Sequence, residues 1–517
     1  MRSMLSSAAL ISQPHKAVSG SDNEAIAMSG GAVLVASAFG NGLNYAFGIF
    51  LARMLGVDDF GLYALALTVF NMVSLTVLFG MDIGVVKFVS HHLEESQPTK
   101  ARDTIVAALI LTLGSGLAAA ISLALLAGPI AVGLYKKPDL VLCLFIFSAA
   151  IPLATVTNVL ISALQAHQMV RFTILIKYMW EPIGKFLLAG CLLWAGFNLV
   201  GVLLAVVLVF AISTAIAVAA LYRLTARLSE GPSMLGLQEA KTLIAYCLPL
   251  TIANIFGVVA PRADILILGY WTKSEEVGVY LAAFQTAAIL SLVLGAFVTG
   301  AAPILSRAWG QHGLARMQAS YQTVSRLSII VSLPIFCGLI LFAKDILGIF
   351  GTEFIAGVPA LIVLALGQIF NNATGAANSV LLMSGHSRLV MMNTVVMGIV
   401  LLAATAASIP LWGIIGAAFA ASGTFIVINV IRVIQVWRLH RVQPYTWDLA
   451  KPLAAAAAAS TIVSALRSLD VLDQVPALWI LLSLLYLAGL LLLKINQQDR
   501  LMLQSLLSRM TLGLGRT

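Results

Sequence analysis

Asp58-Asp59-Phe60-Gly61-Leu62-Tyr63-Ala64 is matched 217 residues later by Glu275-Glu276-Val277-Gly278-Val279-Tyr280-Leu281. Two acids, then glycine and tyrosine at fixed distances, recur in the same order with apolar residues between them. Two further landmarks keep nearly the same spacing. Leu164-Gln165-Ala166-His167 pairs with Met383-Ser384-Gly385-His386 at an offset of 219, and Trp194 with Trp412 at 218. Apolar segments align with one another easily, so the weight rests on the polar and aromatic positions. The chain reads as a duplication.

Around these landmarks lie apolar runs of membrane-spanning length. Of the 517 residues 60% are apolar and 10% charged, against roughly 25% charged in soluble domains, and the mean hydropathy is +1.00. Runs of about 20 apolar residues are what a bilayer crossing needs. They are expected at 30–51, 60–80, 104–127, 140–164, 172–194 and 199–221, and again at 242–268, 277–300, 324–345, 355–383, 389–409 and 412–436. Two more follow at 450–468 and 475–495, the first of them short and alanine-rich. The runs are apolar all round, without the alternation a barrel strand requires, so they predict helices.

The expected architecture is an all-α polytopic membrane protein of about fourteen transmembrane helices. With the N-terminus inside, 22 of the 30 Lys and Arg fall on the cytoplasmic side and 7 outside, Lys185 lying within a span. That asymmetry predicts a multi-pass inner-membrane protein with both termini cytoplasmic, and so an even number of spans. Six spans per repeat give both copies the same orientation, a parallel duplication with its pseudo-two-fold axis along the membrane normal. The predicted organisation is a tail over 1–28, an N-lobe over 29–227 and a C-lobe over 228–445. Two added helices over 446–496 and a tail over 497–517 complete it. Ligand sites in such architectures lie near mid-membrane between the repeats.

Several functions are disfavoured by what the chain lacks. The net charge of +9 is explained by cytoplasmic loops, with no basic-aromatic run suited to nucleic acid. Cys143, Cys191, Cys247 and Cys337 lie in apolar runs without CxxC spacing and read as buried apolar residues. His91-His92 with Glu94-Glu95 reads as a solvated loop face, not a metal site. No Walker loop, nucleophile elbow or HExxH motif is present, so the expectation is a transporter without enzymatic activity or cofactor.

The residues also resemble a family. Phe342-Ala343-Lys344-Asp345-Ile346-Leu347-Gly348-Ile349-Phe350-Gly351-Thr352-Glu353-Phe354 resembles the link between the ninth and tenth spans of bacterial polysaccharide flippases. Ala365-Leu366-Gly367-Gln368-Ile369-Phe370-Asn371-Asn372 resembles their tenth span. Leu51-Ala52-Arg53 with Phe60-Gly61-Leu62-Tyr63 resembles their first loop, and Arg262-x-Asp264-x-x-Ile267-Leu268-Gly269 their seventh span. These flippases belong to the multidrug/oligosaccharidyl-lipid/polysaccharide exporter superfamily. The resemblance covers about residues 30–440. It implies movement of a polyprenyl-diphosphate-linked oligosaccharide to the outer leaflet, for O-antigen, capsule or exopolysaccharide assembly. It further implies alternating access coupled to a proton or sodium gradient. The partners it implies are membrane lipids and polysaccharide assembly proteins such as a polymerase.

Charge inside a bilayer costs about 2.5–3.5 kcal/mol at the helix centre, so it needs a partner, water or a task. Lys177, Glu181 and Lys185 have the spacing of one helical stripe. They read either as cavity groups for an anionic substrate, with Glu181 taking a proton, or as an internal ion-pair ladder. Arg262 and Asp264 follow Pro261, with Pro249 earlier in the span; they read as a substrate contact and an ion-coupling carboxylate, or as an interfacial pair. Arg53 reads as interfacial or as a phosphate contact. Asn41, Asn44 and Tyr45 in the first span, with Gln368, Asn371 and Asn372 in the tenth, suit sugar hydroxyls or bridge helices.

Three other readings compete. Drug/cation antiporters of the same superfamily usually have twelve spans. Peptidoglycan-precursor flippases carry an Arg-Asp pair in the first helix, whereas Ala36 to Leu51 is uncharged. Membrane polymerases usually have a large external loop, and every loop here is short.

Overall fold

The computed structural model describes residues 20–225, 237–311, 313–469 and 474–493. The tails expected over 1–28 and 497–517 lie outside these residues, except that helix begins already at Gly20. No strand occurs among the described residues. The helices are α1 (Gly20–Val77), α2 (Met81–Glu94), α3 (Pro98–Gly128), α4 (Leu140–Ala166), α5 (Val170–Thr173), α6 (Glu181–Trp194) and α7 (Asn198–Thr225). Then come α8 (Leu237–Asn254), α9 (Ala263–Trp271), α10 (Ser274–Gln311), α11 (Gly313–Leu341), α12 (Ala343–Gly348), α13 (Val358–Thr374) and α14 (Ala377–Met383). The last are α15 (Ser387–His440), α16 (Ala450–Ser468) and α17 (Val475–Leu492).

Ten helical stretches among the described residues are long and apolar enough to cross a membrane. The difference from the expected series of about fourteen has two physical causes. First, pairs of expected spans run together. α1 carries helix through the first expected loop and α15 through the eleventh, each bent at a glycine of positive φ: Gly56 at 79° and Gly413 at 51°. The 54 residues of α15, at about 1.5 Å each, greatly exceed a hydrocarbon core of about 30 Å.

Second, two expected spans are broken by proline. Pro182 has no N–H for the carbonyl of Tyr178, and its ring crowds that carbonyl. The backbone widens into a π-helical stretch over Ile174–Trp180. Gly40 of α1 lies against the Tyr178 carbonyl; a Cβ there would sit 2.8 Å from that oxygen. Ahead of Pro261 the chain is π-helical over Ile255–Val259 and 3₁₀ over Ala260–Arg262.

The two halves share one apolar core. Leu51, Phe60, Phe70 and Phe147 pack in the same cluster as Tyr280, Leu347, Phe350 and Phe354. Phe60 meets Phe354 edge-on, with ring centroids 5.8 Å apart. α16 and α17 pack with α11 and α13 in a separate cluster around Leu333, Ala459 and Leu482. They are pinned by Arg467, which pairs with Asp345 at 2.8 Å and donates to the Leu341 carbonyl. The repeated tryptophans Trp194 and Trp412 are 93% and 61% exposed, as amphipathic rings at a membrane interface are.

Candidate functional site

The repeated segments meet each other. The backbone around Gly61 packs directly on that around Gly278: a Cβ on Gly61 would collide with the Ser274 carbonyl, and one on Gly278 would lie 2.6 Å from the Val57 carbonyl. Only glycine permits such an approach. The contact therefore explains why glycine stands in the same place in both copies.

Two cations of the first half reach across to backbone carbonyls of the second. Arg53, at the end of the first expected span, donates from Nε to the Ile349 carbonyl at 2.6 Å and from Nη2 to that of Gly348 at 3.1 Å. Lys137, in the loop before α4, donates from Nζ to the carbonyls of Gly269 at 2.6 Å and Thr272 at 2.8 Å. In each case a basic side chain of the first half satisfies carbonyls at or near a helix end in the second half. Burial lowers the Lys137 pKa, and Glu276 opposes that shift. Deeper in the seam, Tyr45 shares a hydrogen bond with Thr286 at 3.1 Å, and Gly48 gives room to Gln285.

The charged stripe takes a particular form. Lys177 lies within the π-helical stretch, and its Nζ donates to Asn158 Oδ1 of α4 at 2.7 Å. Glu181 and Lys185 follow on α6, both partly buried. Among the described residues neither makes an ion pair within 4 Å or a hydrogen bond, although each lies in the other's field. Widening of the helix between Lys177 and Glu181 changes the simple four-residue stripe expected from spacing.

Asp264 is 1% exposed. Its Oδ2 accepts from the Tyr280 hydroxyl at 2.5 Å and its Oδ1 from the Ile265 amide at 2.8 Å. Arg262 is exposed two residues away and forms no ion pair with it within 4 Å among the described residues.

The amides divide. Asn372 is fully buried and donates to the Leu290 carbonyl and to Ser332 Oγ, bridging α13 to α10 and α11. Asn371 accepts from Asn429, which in turn accepts from Arg432 at 3.3 Å. Gln368 keeps a buried Oε1 without a partner. Asn41 and Asn44 are exposed on α1, Asn44 bonding back to the Gly40 carbonyl.

Reading the sequence missed Lys137, Arg432 and Asn429. Arg432 was available as a charge inside an expected span, and its Nε is buried without a partner. Lys137 gave no local signal, since its acceptors lie more than a hundred residues away.

Helices apolar enough to span a bilayer, with π-helical breaks beside charges and a glycine seam between two segments, define a polytopic helical membrane protein. The solved lipid II flippase MurJ, in an inward closed conformation, has this fold with a TM-score of 0.65 at 14% identity. That similarity covers 86% of this chain and 97% of that one. An inward-facing multidrug resistance MATE family transporter of the MOP superfamily follows at 0.64 and 14%, covering 77% and 94%. These identities speak for the fold alone.

The family follows from sequence. The profile described as "Polysaccharide biosynthesis protein" matches residues 50–359, and the chain belongs to that family. The probable low-salt glycan biosynthesis flippase Agl15 of Haloferax volcanii is 24% identical over 404 residues, 77% of this chain and 81% of that protein. The teichuronic acid biosynthesis protein TuaB of Bacillus subtilis is 27% identical over 156 residues, 30% of this chain and 31% of that one.

Proposed function

We propose that the chain is a flippase that carries a polyprenyl-diphosphate-linked oligosaccharide across the bacterial cytoplasmic membrane, for O-antigen, capsule or exopolysaccharide assembly. It works by alternating access. In this reading the membrane is crossed fourteen times, with α1 and α15 each crossing twice. Both termini are cytoplasmic, and two six-helix lobes face each other across a cleft. The observation that carries the reading is the glycine seam of Gly61 and Gly278. It joins the halves through two matched segments, as a gate between pseudo-symmetric lobes would.

On this orientation the seam is the outer gate. The cleft lies below it, toward the cytoplasm. Lys177, Lys185 and Arg432 supply positive charge for a diphosphate, and Glu181 keeps the site from being purely cationic. Arg262, Asn41, Asn44, Tyr45, Gln368 and Asn371 offer donors and acceptors for sugar hydroxyls or phosphate, while Asn372 is engaged in packing. The gradient, of protons or sodium, acts through Glu181 or through Asp264 with its Tyr280 partner. Opening the seam breaks the Arg53 and Lys137 contacts, and the gain must come from substrate or ion binding that favours the open state.

Deleting the gene tests the reading in cells. The expected result is lipid-linked oligosaccharide retained in the inner leaflet and loss of surface glycan. Normal surface glycan in a strain without a second flippase would overturn it.

A further inference from the structure

Away from the cleft, the start of α5 and the end of α7 enclose a hollow of about 570 Å³. Its walls are Arg171 and Phe172 on one side and Ile216, Ala219, Ala220 and Arg223 on the other. The small side chains of Ala219 and Ala220 leave the space, and the floor rests on the apolar cluster around Val159 and Leu164. Both guanidiniums are exposed, and neither is engaged in an ion pair or hydrogen bond among the described residues. Among the described residues no acid lines the hollow. Arg171 immediately precedes one expected span and Arg223 closes the next, so both stand where apolar helix meets the headgroup layer. Tyr222, 71% exposed, lies at the same level.

We infer that this hollow is a binding site for an anionic phospholipid. The headgroup phosphate lies between Arg171 and Arg223, and the start of an acyl chain lies along Ile216 and Ala219. Two guanidinium forks match phosphate oxygens in geometry and charge. Basic hollows between membrane helices at the cytoplasmic face suit such headgroups. The site is independent of the transported cargo and requires only that the chain be inserted in a membrane.

The test is native mass spectrometry of the full-length protein in detergent, titrated with phosphatidylglycerol or phosphatidylcholine. The wild type should bind phosphatidylglycerol roughly tenfold more tightly. The double variant Arg171→Gln/Arg223→Gln should lose that preference, and Ala219→Trp should weaken binding by filling the hollow. Comparable thermal unfolding of each variant keeps the comparison meaningful. Equal binding of the two lipids by the wild type, or an unchanged preference in the double variant, would overturn the site. Inorganic diphosphate titrated alone separates the sources: displacement of the lipid at equal concentration would assign the hollow to a soluble phosphate and overturn the lipid assignment.

Discussion

Gly61 and Gly278 occupy the same place in two copies of one motif, and in the folded chain their backbones lie in direct contact. A side chain at either position must push the halves apart. Gly278→Val should therefore favour an open seam. Overpacking costs about 1–3 kcal/mol, enough to change a gate equilibrium roughly 5- to 150-fold. With Thr286→Cys as reporter in a background without native cysteines, an impermeant thiol reagent added outside should label the variant faster. Unchanged labelling of a correctly inserted variant would remove the seam from gating.

Lys137 and Arg53 should act in the same direction and independently, since they hold different carbonyls. Hydrogen bonds from charged groups contribute about 1.5–3 kcal/mol when shielded. Arg53 is exposed, so Arg53→Gln should matter less than Lys137→Met. Thiol labelling of the single and double variants checks this, and the logarithms of their effects should add.

Acidity should close the seam. Glu276 has a pKa raised above its ordinary 4.5, mainly by burial and then by Glu275, against the pull of Lys273 and Lys137. An open seam would expose Glu276 and return it toward its ordinary value, so the closed form holds this proton more tightly. Its extra stability is present below the ordinary value and is lost as pH rises through the raised one. Spin labels at Met54→Cys and Tyr270→Cys should report a larger separated population at neutral than at acidic pH. Glu276→Gln should flatten that dependence.

Asn372→Ala should lower the thermal stability of the protein and leave substrate recognition intact. Its two donated bonds tie three helices, and interhelical bonds in membranes average about 0.6 kcal/mol with a maximum near 1.7. Glu181→Gln should do the reverse: little change in unfolding temperature, with transport lost. Unfolding in detergent beside surface-glycan measurement separates the two cases.

Much of this was legible in the sequence because membrane crossing imposes length and apolarity, which a single chain displays. The matched acid-glycine-tyrosine motif also marked the seam, although nothing in the motif said that its copies would touch. Partnership was harder to read. Arg53 has the same appearance whether it meets phosphate or the Gly348 carbonyl, and Asn371 and Asn372 are neighbours with different surroundings. Pro182 was visible, yet its effect on the Lys177–Glu181 register required the widened backbone of Ile174–Trp180. The continuous helices through Gly56 and Gly413 were hidden because loop residues there extend helix instead of ending it.

Reconstitution tests the central claim most directly. Purified protein is placed in proteoliposomes with a polyprenyl-diphosphate-linked oligosaccharide from the host, and the glycan reachable by an impermeant glycosidase is followed over time. The account predicts that accessible glycan rises beyond the outer-leaflet fraction only with protein present, faster with an imposed ion gradient, and not with Glu181→Gln. Equal accessibility in vesicles with and without the protein would contradict it.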